Sequence, residues 1–168
     1  MQNLIIRITQ ENTKLITDDK IGCFILADSM SAEFMAKFTE EAHKHNKLVL
    51  TSGNNAVEAY QNCKADGLII DSSKEEKPQK LVKQIQAQAK KAILGVITRN
   101  RRHEAMLVSE CEPDFVIFRF WKDGFSENLE LLEWYNELFL IQNAVLPAEE
   151  IELSNIRSDF IILDDTRI

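Results

Sequence analysis

Charged and amide side chains stand directly after several short apolar runs of this chain. Aspartate, asparagine and arginine at such positions bind small molecules, metal ions or anions, and a carboxylate also transfers protons. If the runs are parallel strands, these side chains meet at the edge of the sheet that carries the ligand sites of α/β proteins. The candidates at the ends of the runs are Asp28, Asn54, Asp71, Arg99, Arg119, Asn143 and Asp164.

The acidic candidates are of the type that holds a metal ion or acts as a base. Asp28, Asp71 and Asp164 belong to this group, and Asp165 adjoins the last of them. Carboxylates from separate strand ends are suitable ligands for hard cations. No spacing rule identifies such a cluster, so the sequence leaves this hypothesis open.

The basic candidates are concentrated after two neighbouring apolar runs. Arg99, Arg101 and Arg102 follow the fifth run, and Arg119 and Lys122 lie at the end of the sixth. Arginine binds phosphate or carboxylate through two parallel hydrogen bonds, which makes an anion site one interpretation. A solvated loop whose arginines pair with nearby acids is the simpler one.

A phrase of one aspartate followed by apolar residues recurs three times, as ADGLIID, PDFVIFR and SDFIILD. Its aspartates are Asp66, Asp114 and Asp159, spaced by about two strand-helix units. Each stands at the start of a predicted strand, on the face of a barrel opposite to the ligand sites. We therefore interpret them as turn and capping groups rather than catalytic residues.

The elements that position these residues alternate along the whole chain. Continuous runs rich in Ile, Val, Leu and Phe are typical of parallel strands buried on both faces. Segments with helical periodicity lie between them, among them SAEFMAKFTEEAHKHN, KPQKLVKQIQAQAKK, RHEAMLVSECE and SENLELLEWYNEL. The strand candidates are NLIIRI (3–8), CFILAD (23–28), KLVLTS (47–52), DGLIID (66–71), AILGVIT (92–98), DFVIFRF (114–120), LFLIQNAVL (138–146) and DFIILDD (159–165).

This alternation predicts a parallel sheet, either an open doubly wound sheet or a closed eight-stranded barrel. Eight runs at nearly constant spacing, without a longer crossover to reverse the strand order, favour the barrel. Eight strands, six or seven helices and short loops need about 150 residues, so the chain of 168 residues accommodates a minimal barrel. The prediction is an α/β fold, a minimal (β/α)8 TIM-type barrel with a shortened first crossover (9–22) and a missing last helix, in a single domain over residues 1–168.

Composition argues against several classes of partner. The net charge of −7 and the pI of about 5.1 lack the positive field that attracts nucleic acid or anionic membrane. The N-terminus lacks the basic and apolar regions of a signal peptide, and no apolar run has membrane-spanning length, which indicates a cytoplasmic protein.

Cys23, Cys63 and Cys111 are odd in number and never in a C-x-x-C pair, so we interpret them as buried thiols.

The segment KLVLTSGNNAVEAYQNCKADGLIIDSS (47–73) resembles the third strand, helix and fourth strand of thiamine-phosphate synthase and its thiazole-tautomerase relatives. The resemblance continues through AILGVITRNRRHEA, PDFVIFRFW and FLIQNAVLPAEEIELSNIRSDFIILDD. It rests on strand order and spacing and on the ADG phrase, which other phosphate-binding barrels share. It implies an eight-stranded barrel, a link to thiamine biosynthesis, and a transferase that joins a pyrimidine diphosphate to a thiazole phosphate with magnesium.

The positions that match the family's metal site have changed. Asn54 and Asn55 stand where the family has Asn-Asp, and an amide supplies no charge to a hard cation. The segment from Asp71 to Lys74 places a lysine where the family has a metal-binding aspartate. Magnesium is therefore implied by the family, but its ligand positions are not retained, and the cofactor is unknown.

The family's other motifs are also replaced. Ile97 stands at the serine of its Gly-x-Ser, Asn143-Ala144 at its Gly-Gly pair, and Phe120 at the tautomerase histidine. The arginine and lysine that follow the family's second strand are absent from ADSMSAEF. Phosphate sites need backbone N–H groups close to the anion, which glycine permits.

Acidic residues follow the last two strands instead of a phosphate-binding loop. Glu149, Glu150 and Glu152 are placed to occupy the first turn of a helix, where they satisfy its dipole. Together with Asp164 and Asp165 they would repel phosphate. The usual phosphate site is therefore expected to be lost.

The sequence thus predicts a thiamine-phosphate synthase-like barrel whose transferase activity is impaired or absent. Two other hypotheses stay open: a non-catalytic ligand-binding or interaction protein, and an enzyme with phosphate-independent chemistry run by Asp71 and Arg119. We expect a small-molecule ligand, no nucleic acid and no membrane, and a homodimer that covers apolar surface near strand eight. The expected ligand-binding residues are Asp28, Asn54, Asn55, Asp71, Arg99, Arg119, Lys122, Asn143 and Asp164.

Overall fold

The computed structural model describes residues 3–168 and shows eight parallel strands closed into a barrel. Each strand pairs with the next along the chain, and β1 also pairs with β8. The predicted TIM-type barrel is confirmed. The strands are β1 (Asn3–Ile8), β2 (Ile21–Leu26), β3 (Leu48–Thr51), β4 (Gly67–Asp71), β5 (Ile93–Ile97), β6 (Phe115–Phe120), β7 (Gln142–Pro147) and β8 (Phe160–Asp164).

Helices connect the strands on the outside of the barrel. Ser31 begins the first helix, its Oγ accepting a hydrogen bond from the Phe34 amide at 3.1 Å, and Pro78 suits the first turn of the third. None of the helices in the described part of the chain is both long and apolar enough to cross a bilayer. The helices are α1 (Ala32–Lys44), α2 (Ala56–Cys63), α3 (Pro78–Gln88), α4 (Arg102–Glu110) and α5 (Phe125–Leu138).

The first crossover is shortened, as predicted. It contains only a 3-10 turn, Lys14–Thr17, and β8 is followed by the 3-10 turn Asp165–Arg167. The connection between β7 and β8 also lacks a helix, since residues 148–159 contain none. The expectation that Glu149, Glu150 and Glu152 occupy a first helical turn is therefore wrong.

The predicted seventh strand began four residues too early. Helix α5 continues to Leu138 and β7 starts only at Gln142. The stretch 138–141 is apolar and leads directly to the polar pair Gln142 and Asn143, where the strand begins, so apolar character alone did not separate the end of the helix from the start of the strand. The correct boundary moves Asn143 from the end of the strand to its start.

Aliphatic side chains fill the barrel interior. Alternate residues of each strand point inward, and the rings of Phe115 and Phe160 lie 6.0 Å apart there. The remaining strand residues pack outward under the helices in two further clusters. The interior cluster consists of Ile5, Ile25, Leu50, Ile69, Ile97, Phe115, Ile117, Ala144 and Ile162.

The three recurring aspartates fasten neighbouring strands at the N-terminal face. In each case Oδ2 accepts a hydrogen bond from a backbone amide of the preceding strand. The distances are 2.8 Å from Val49 to Asp66, 2.7 Å from Leu94 to Asp114 and 2.9 Å from Asn143 to Asp159. Asp66 also hydrogen-bonds His43 Nε2 of α1, at 2.9 Å. These aspartates have a structural role, as expected, but they tie neighbouring strands together rather than cap turns.

Candidate functional site

Four charged side chains form a layer at the C-terminal mouth of the barrel: Arg7, Asp71, Arg119 and Asp164, from β1, β4, β6 and β8. Each lies two residues after an isoleucine of the interior cluster, so the alternation of the strand turns it inward. We call these four residues the mouth layer. It forms the polar upper end of an otherwise apolar barrel interior.

The mouth layer consists of two ion pairs. Arg7 and Asp164 are register partners on β1 and β8, and Arg7 Nη1 donates to Asp164 Oδ1 at 3.2 Å. Arg119 Nη2 donates to Asp71 Oδ2 at 2.8 Å. Each arginine therefore neutralises one carboxylate. All four side chains are half-buried, so the pairs remain in contact with solvent.

Asp71 is held by more than its arginine. The backbone amide and the hydroxyl of Ser73 donate to Asp71 Oδ1 at 2.9 and 2.6 Å. Burial raises the pKa of Asp71, but the Ser73 hydrogen bonds and the Arg119 guanidinium outweigh it, so the pKa lies below its ordinary value. An ionised carboxylate with a lowered pKa is a weak base. This argues against the hypothesis of proton chemistry run by Asp71.

A cavity of about 630 Å³ opens above the mouth layer. Asp28, Asn54 and Glu75 line it together with the four charged residues, and Ser52 and Gly53 complete the wall after β3. Its floor consists of the inward aliphatic side chains Ile25, Ile69, Ile97, Ile117, Leu146 and Ile162. The cavity thus combines an apolar floor with a ring of alternating charges, as small-molecule sites do.

Gly53 brings the β3 loop against Asp28. Its φ of 88° lies in the left-handed region that favours glycine. A β-carbon at Gly53 would overlap the Asp28 carboxylate. The glycine in SGNN therefore permits the close approach of the β2 and β3 loops on this side of the cavity.

The structure brings together five of the predicted ligand-binding residues: Asp28, Asn54, Asp71, Arg119 and Asp164 all line the cavity. The other four lie outside it. Asn55 is the exposed N-cap of α2, and Lys122 is exposed in the loop before α5. Arg99 donates from Nε to the Ser73 carbonyl at 2.9 Å and lines a smaller neighbouring cavity.

The predicted place of Asn143 at the mouth is wrong. It is the second residue of β7 and lies, buried, at the opposite end of the barrel. Its Nδ2 donates to Asn136 Oδ1 at 2.6 Å, and its Oδ1 accepts from the Asp159 amide at 3.3 Å. Asn143-Ala144 therefore does not stand at the family's Gly-Gly pair. The residues that follow β7, Ala148 and Glu149, contain no glycine either.

Sequence reasoning missed Arg7. The available signal was a charged residue within an apolar strand, Arg7 in NLIIRI, which matches Arg119 in FVIFRF. In both strands the arginine is the penultimate residue, one position before a buried apolar side chain. Such an arginine at an inward position near a strand end indicates a polar layer in the barrel.

The residues present do not fit a magnesium site. Over residues 3–168 no three His, Cys, Asp or Glu side chains are grouped so that they could hold a metal ion. Asp165 is occupied elsewhere, since its Oδ2 accepts hydrogen bonds from the Thr9 and Gln10 amides at 3.0 and 3.3 Å. The hypothesis that Asp28, Asp71, Asp164 and Asp165 together hold a metal ion is therefore wrong.

The cysteines show no sign of an activated thiol. All three are free, and Cys63 is buried. Burial, with a smaller contribution from the charge of Asp66, raises the pKa of Cys23 to about 12. Burial also raises the pKa of Cys111. Thiols with raised pKa values stay protonated at neutral pH and are unreactive.

Comparison with known proteins shows the fold alone. The sequence matches neither a family model nor a curated protein. In structure it is similar to the citrate synthase SbnG (10% identity, TM-score 0.66, covering 99% of this chain and 87% of that one). It is also similar to 3-keto-L-gulonate-6-phosphate decarboxylase from Vibrio cholerae (10% identity, TM-score 0.63, 97% and 89%) and to tryptophan synthase from M. tuberculosis (9% identity, TM-score 0.69, 97% and 82%).

Proposed function

We propose that this protein is a divergent relative of the thiamine-phosphate synthases and thiazole tautomerases that binds a thiamine-related small molecule at the barrel mouth without catalysing metal-dependent transfer. The observation that carries this proposal is the mouth layer above an apolar floor in a cavity of about 630 Å³. The family relationship is supported by the resemblance of the segment 47–73. Barrel enzymes of several biosynthetic reactions share the fold, which is compatible with a small-molecule site at this end.

The two arginines of the mouth layer leave donors for a ligand. Arg7 uses only Nη1 for Asp164, and Arg119 uses Nη2 for Asp71 and Nη1, at 3.4 Å, for the Ser73 hydroxyl. Within residues 3–168 no protein acceptor binds the remaining N–H groups of either side chain. A bound molecule therefore adds hydrogen bonds without breaking the ion pairs, while its apolar part covers the isoleucine floor.

The same geometry argues against diphosphate transfer. That reaction needs a cation to neutralise the diphosphate, and this site offers no grouped carboxylates for one. Of the carboxylates that line the cavity, Asp71 and Asp164 are each already paired with an arginine. Asp28 and Glu75 add negative charge to the same cavity. An incoming diphosphate would meet this negative charge without a metal to offset it.

Calorimetric titration tests the proposal. We would titrate thiamine phosphate, the thiazole phosphate and the pyrimidine diphosphate into the protein, each with and without magnesium. We expect saturable binding of at least one compound, independent of magnesium, and no release of pyrophosphate when the two substrates are mixed. Arg119→Met removes charge-assisted hydrogen bonds and should weaken that binding at least about tenfold.

Arg157→Met is the matched control, because the exposed Arg157 lies before β8 at the opposite end of the barrel. It changes the net charge equally and should leave binding unaltered. Thermal unfolding of both variants would show that each is folded. Absence of binding by all three compounds would remove the link to thiamine, and magnesium-dependent pyrophosphate release would show that the transferase is intact.

A further inference from the structure

A second cavity of about 260 Å³ lies beside the mouth, between the loops that follow β5 and β6. Its lining contains three arginines and no acidic residue, although the whole chain carries a net charge of −7. The lining residues are Ser73, Thr98, Arg99, Asn100, Arg101, Arg119 and Trp121. We call it the arginine cavity.

Hydrogen bonds to the backbone hold the walls of the arginine cavity in place. Asn100 Nδ2 donates to the Arg119 carbonyl at 2.6 Å and to Asn128 Oδ1 of α5 at 2.8 Å. Arg99 Nε donates to the Ser73 carbonyl at 2.9 Å, which leaves its two terminal nitrogens without a protein acceptor among residues 3–168. The loop after β5 is thus fixed against both neighbouring connections and does not depend on a ligand for its shape.

The two arginines that follow Asn100 have different environments. Arg102 turns away, with its guanidinium 5.1 Å from the centre of the Trp134 ring. Arg101 lines the arginine cavity, and in the described part of the chain its side chain has neither a hydrogen bond nor an ion pair. In the described part of the chain neither Arg99 nor the exposed Arg101 has an ion-pair partner, in contrast to the arginines of the mouth layer.

We infer that the arginine cavity binds the phosphate group of a small phosphorylated molecule. Guanidinium groups bind phosphate oxygens through paired hydrogen bonds, and a phosphate monoester supplies three acceptor oxygens and the charge that this wall lacks. Trp121, 40% exposed, adds an aromatic surface beside the arginines. This location, after β5 and β6, is separate from the glycine-free loops after β7 and β8.

Arg119 lines both cavities, so a ligand with its phosphate in the arginine cavity would extend into the mouth. The inference deepens the proposed function: the phosphate site stands on its own geometry, and only the position of the rest of the ligand rests on that proposal. A phosphorylated thiazole or thiamine phosphate fits this arrangement, whereas a free nucleobase or sugar would leave the arginines unpaired.

Calorimetric titration of inorganic phosphate at constant ionic strength, with the full chain, tests the phosphate site alone. We would compare the wild type with Arg101→Met and Arg102→Met, two neighbouring substitutions with the same change in charge. Arg101→Met should weaken phosphate binding at least about tenfold, because it removes the unpaired guanidinium. Arg102→Met should change phosphate affinity less than about twofold, because the charge it removes is more distant and screened by solvent. Absence of saturable binding by the wild type, or equal weakening by both substitutions, would overturn the inference.

Thiamine phosphate distinguishes this inference from the proposed function. Suppose that phosphate binds through Arg101 but that thiamine phosphate binds no more tightly than phosphate. That result would support the phosphate site and contradict the proposed binding of a thiamine-related molecule. If instead the binding of thiamine phosphate depends on Arg119 and not on Arg101, the result would support the barrel mouth as the ligand site and contradict the phosphate site in the arginine cavity.

Discussion

At the scale of single residues, the site depends on two arginines placed inside apolar strands. Arg7 and Arg119 each replace an aliphatic side chain at an inward position, and each lies within hydrogen-bonding distance of a carboxylate. Taking a charge out of water is unfavourable unless it is paired. Because these pairs stay half-exposed, they contribute little to stability, and a role in ligand binding explains their position better.

The acid response of Asp71 provides a prediction at this scale. Its pKa is lowered in the folded state, so its ionised form stabilises the fold above the unfolded-state pKa of about 4. That contribution is lost as the pH falls through the lower folded-state pKa. We expect Asp71→Asn to reduce the free energy of unfolding by less than about 1 kcal/mol at pH 7, and the difference from wild type to shrink on acidification below about pH 4.

Urea unfolding of the two proteins from neutral to acidic pH measures this difference. Asp123→Asn is the control, since the exposed Asp123 has no partner in the described part of the chain. A difference between wild type and Asp71→Asn that does not change with pH would show that the Asp71 carboxylate is not stabilised in its ionised form.

At the scale of elements, side-chain hydrogen bonds and an irregular segment stabilise the barrel where helices are missing. The three recurring aspartates fasten strand starts, and residues 148–159 cover the barrel between β7 and β8 without a helix. Ile156 of that segment is buried against the outer cluster, and Ile151 and Leu153 pack beside it. As a result the outward Ile161 of β8 is only 2% exposed. The outward face of β8 is therefore covered within the chain at Ile161, whereas Ile168, which follows β8, is 59% exposed.

Asp114 permits a test of the fastening role. Asp114→Ala removes the side-chain acceptor of the backbone amide of Leu94, a buried residue, and we expect a loss of about 1–3 kcal/mol in the free energy of unfolding. Asp123→Ala, an exposed aspartate in the β6–α5 loop, should be nearly neutral. Ligand affinity should be the same in both variants, because Asp114 lies at the face opposite to the mouth. An affinity loss confined to Asp114→Ala would indicate a functional rather than a structural aspartate.

At the scale of the whole molecule, 168 residues close a barrel by omitting helices rather than strands. Every strand keeps two hydrogen-bonded neighbours, so the missing helices affect only the outer surface of the barrel. Large apolar side chains remain exposed at the end of α5 and the following loop, where Leu138 is 63% and Leu140 fully exposed. We therefore predict this surface as the contact of the expected homodimer.

The homodimer stays a prediction, now with this surface as its contact. Sedimentation velocity at micromolar concentration should give the mass of a dimer for the wild type, and Leu140→Lys should shift it toward the mass of a monomer. Met106→Lys, a partly exposed apolar residue of α4, is the matched control and should keep the dimer. A monomeric mass for the wild type would contradict the prediction.

The sequence by itself determined the order of the elements, the closed barrel, the shortened first crossover and the structural aspartates. These follow from local patterns: apolar runs, helical periodicity, and a phrase repeated at the start of strands. It also identified five residues of the cavity. In a parallel barrel the last residues of every strand lie at the same end, whichever strands are neighbours.

Only the tertiary structure decided the start of β7, the covering of β8 and the pairing at the mouth. The apolar stretch 138–141 runs from the end of α5 to the start of β7, and the hydrogen bonds to β6 and β8 determine the register of that strand. The two ion pairs of the mouth layer join residues 157 and 48 positions apart. Local patterns contain no information on such contacts, because barrel closure creates them.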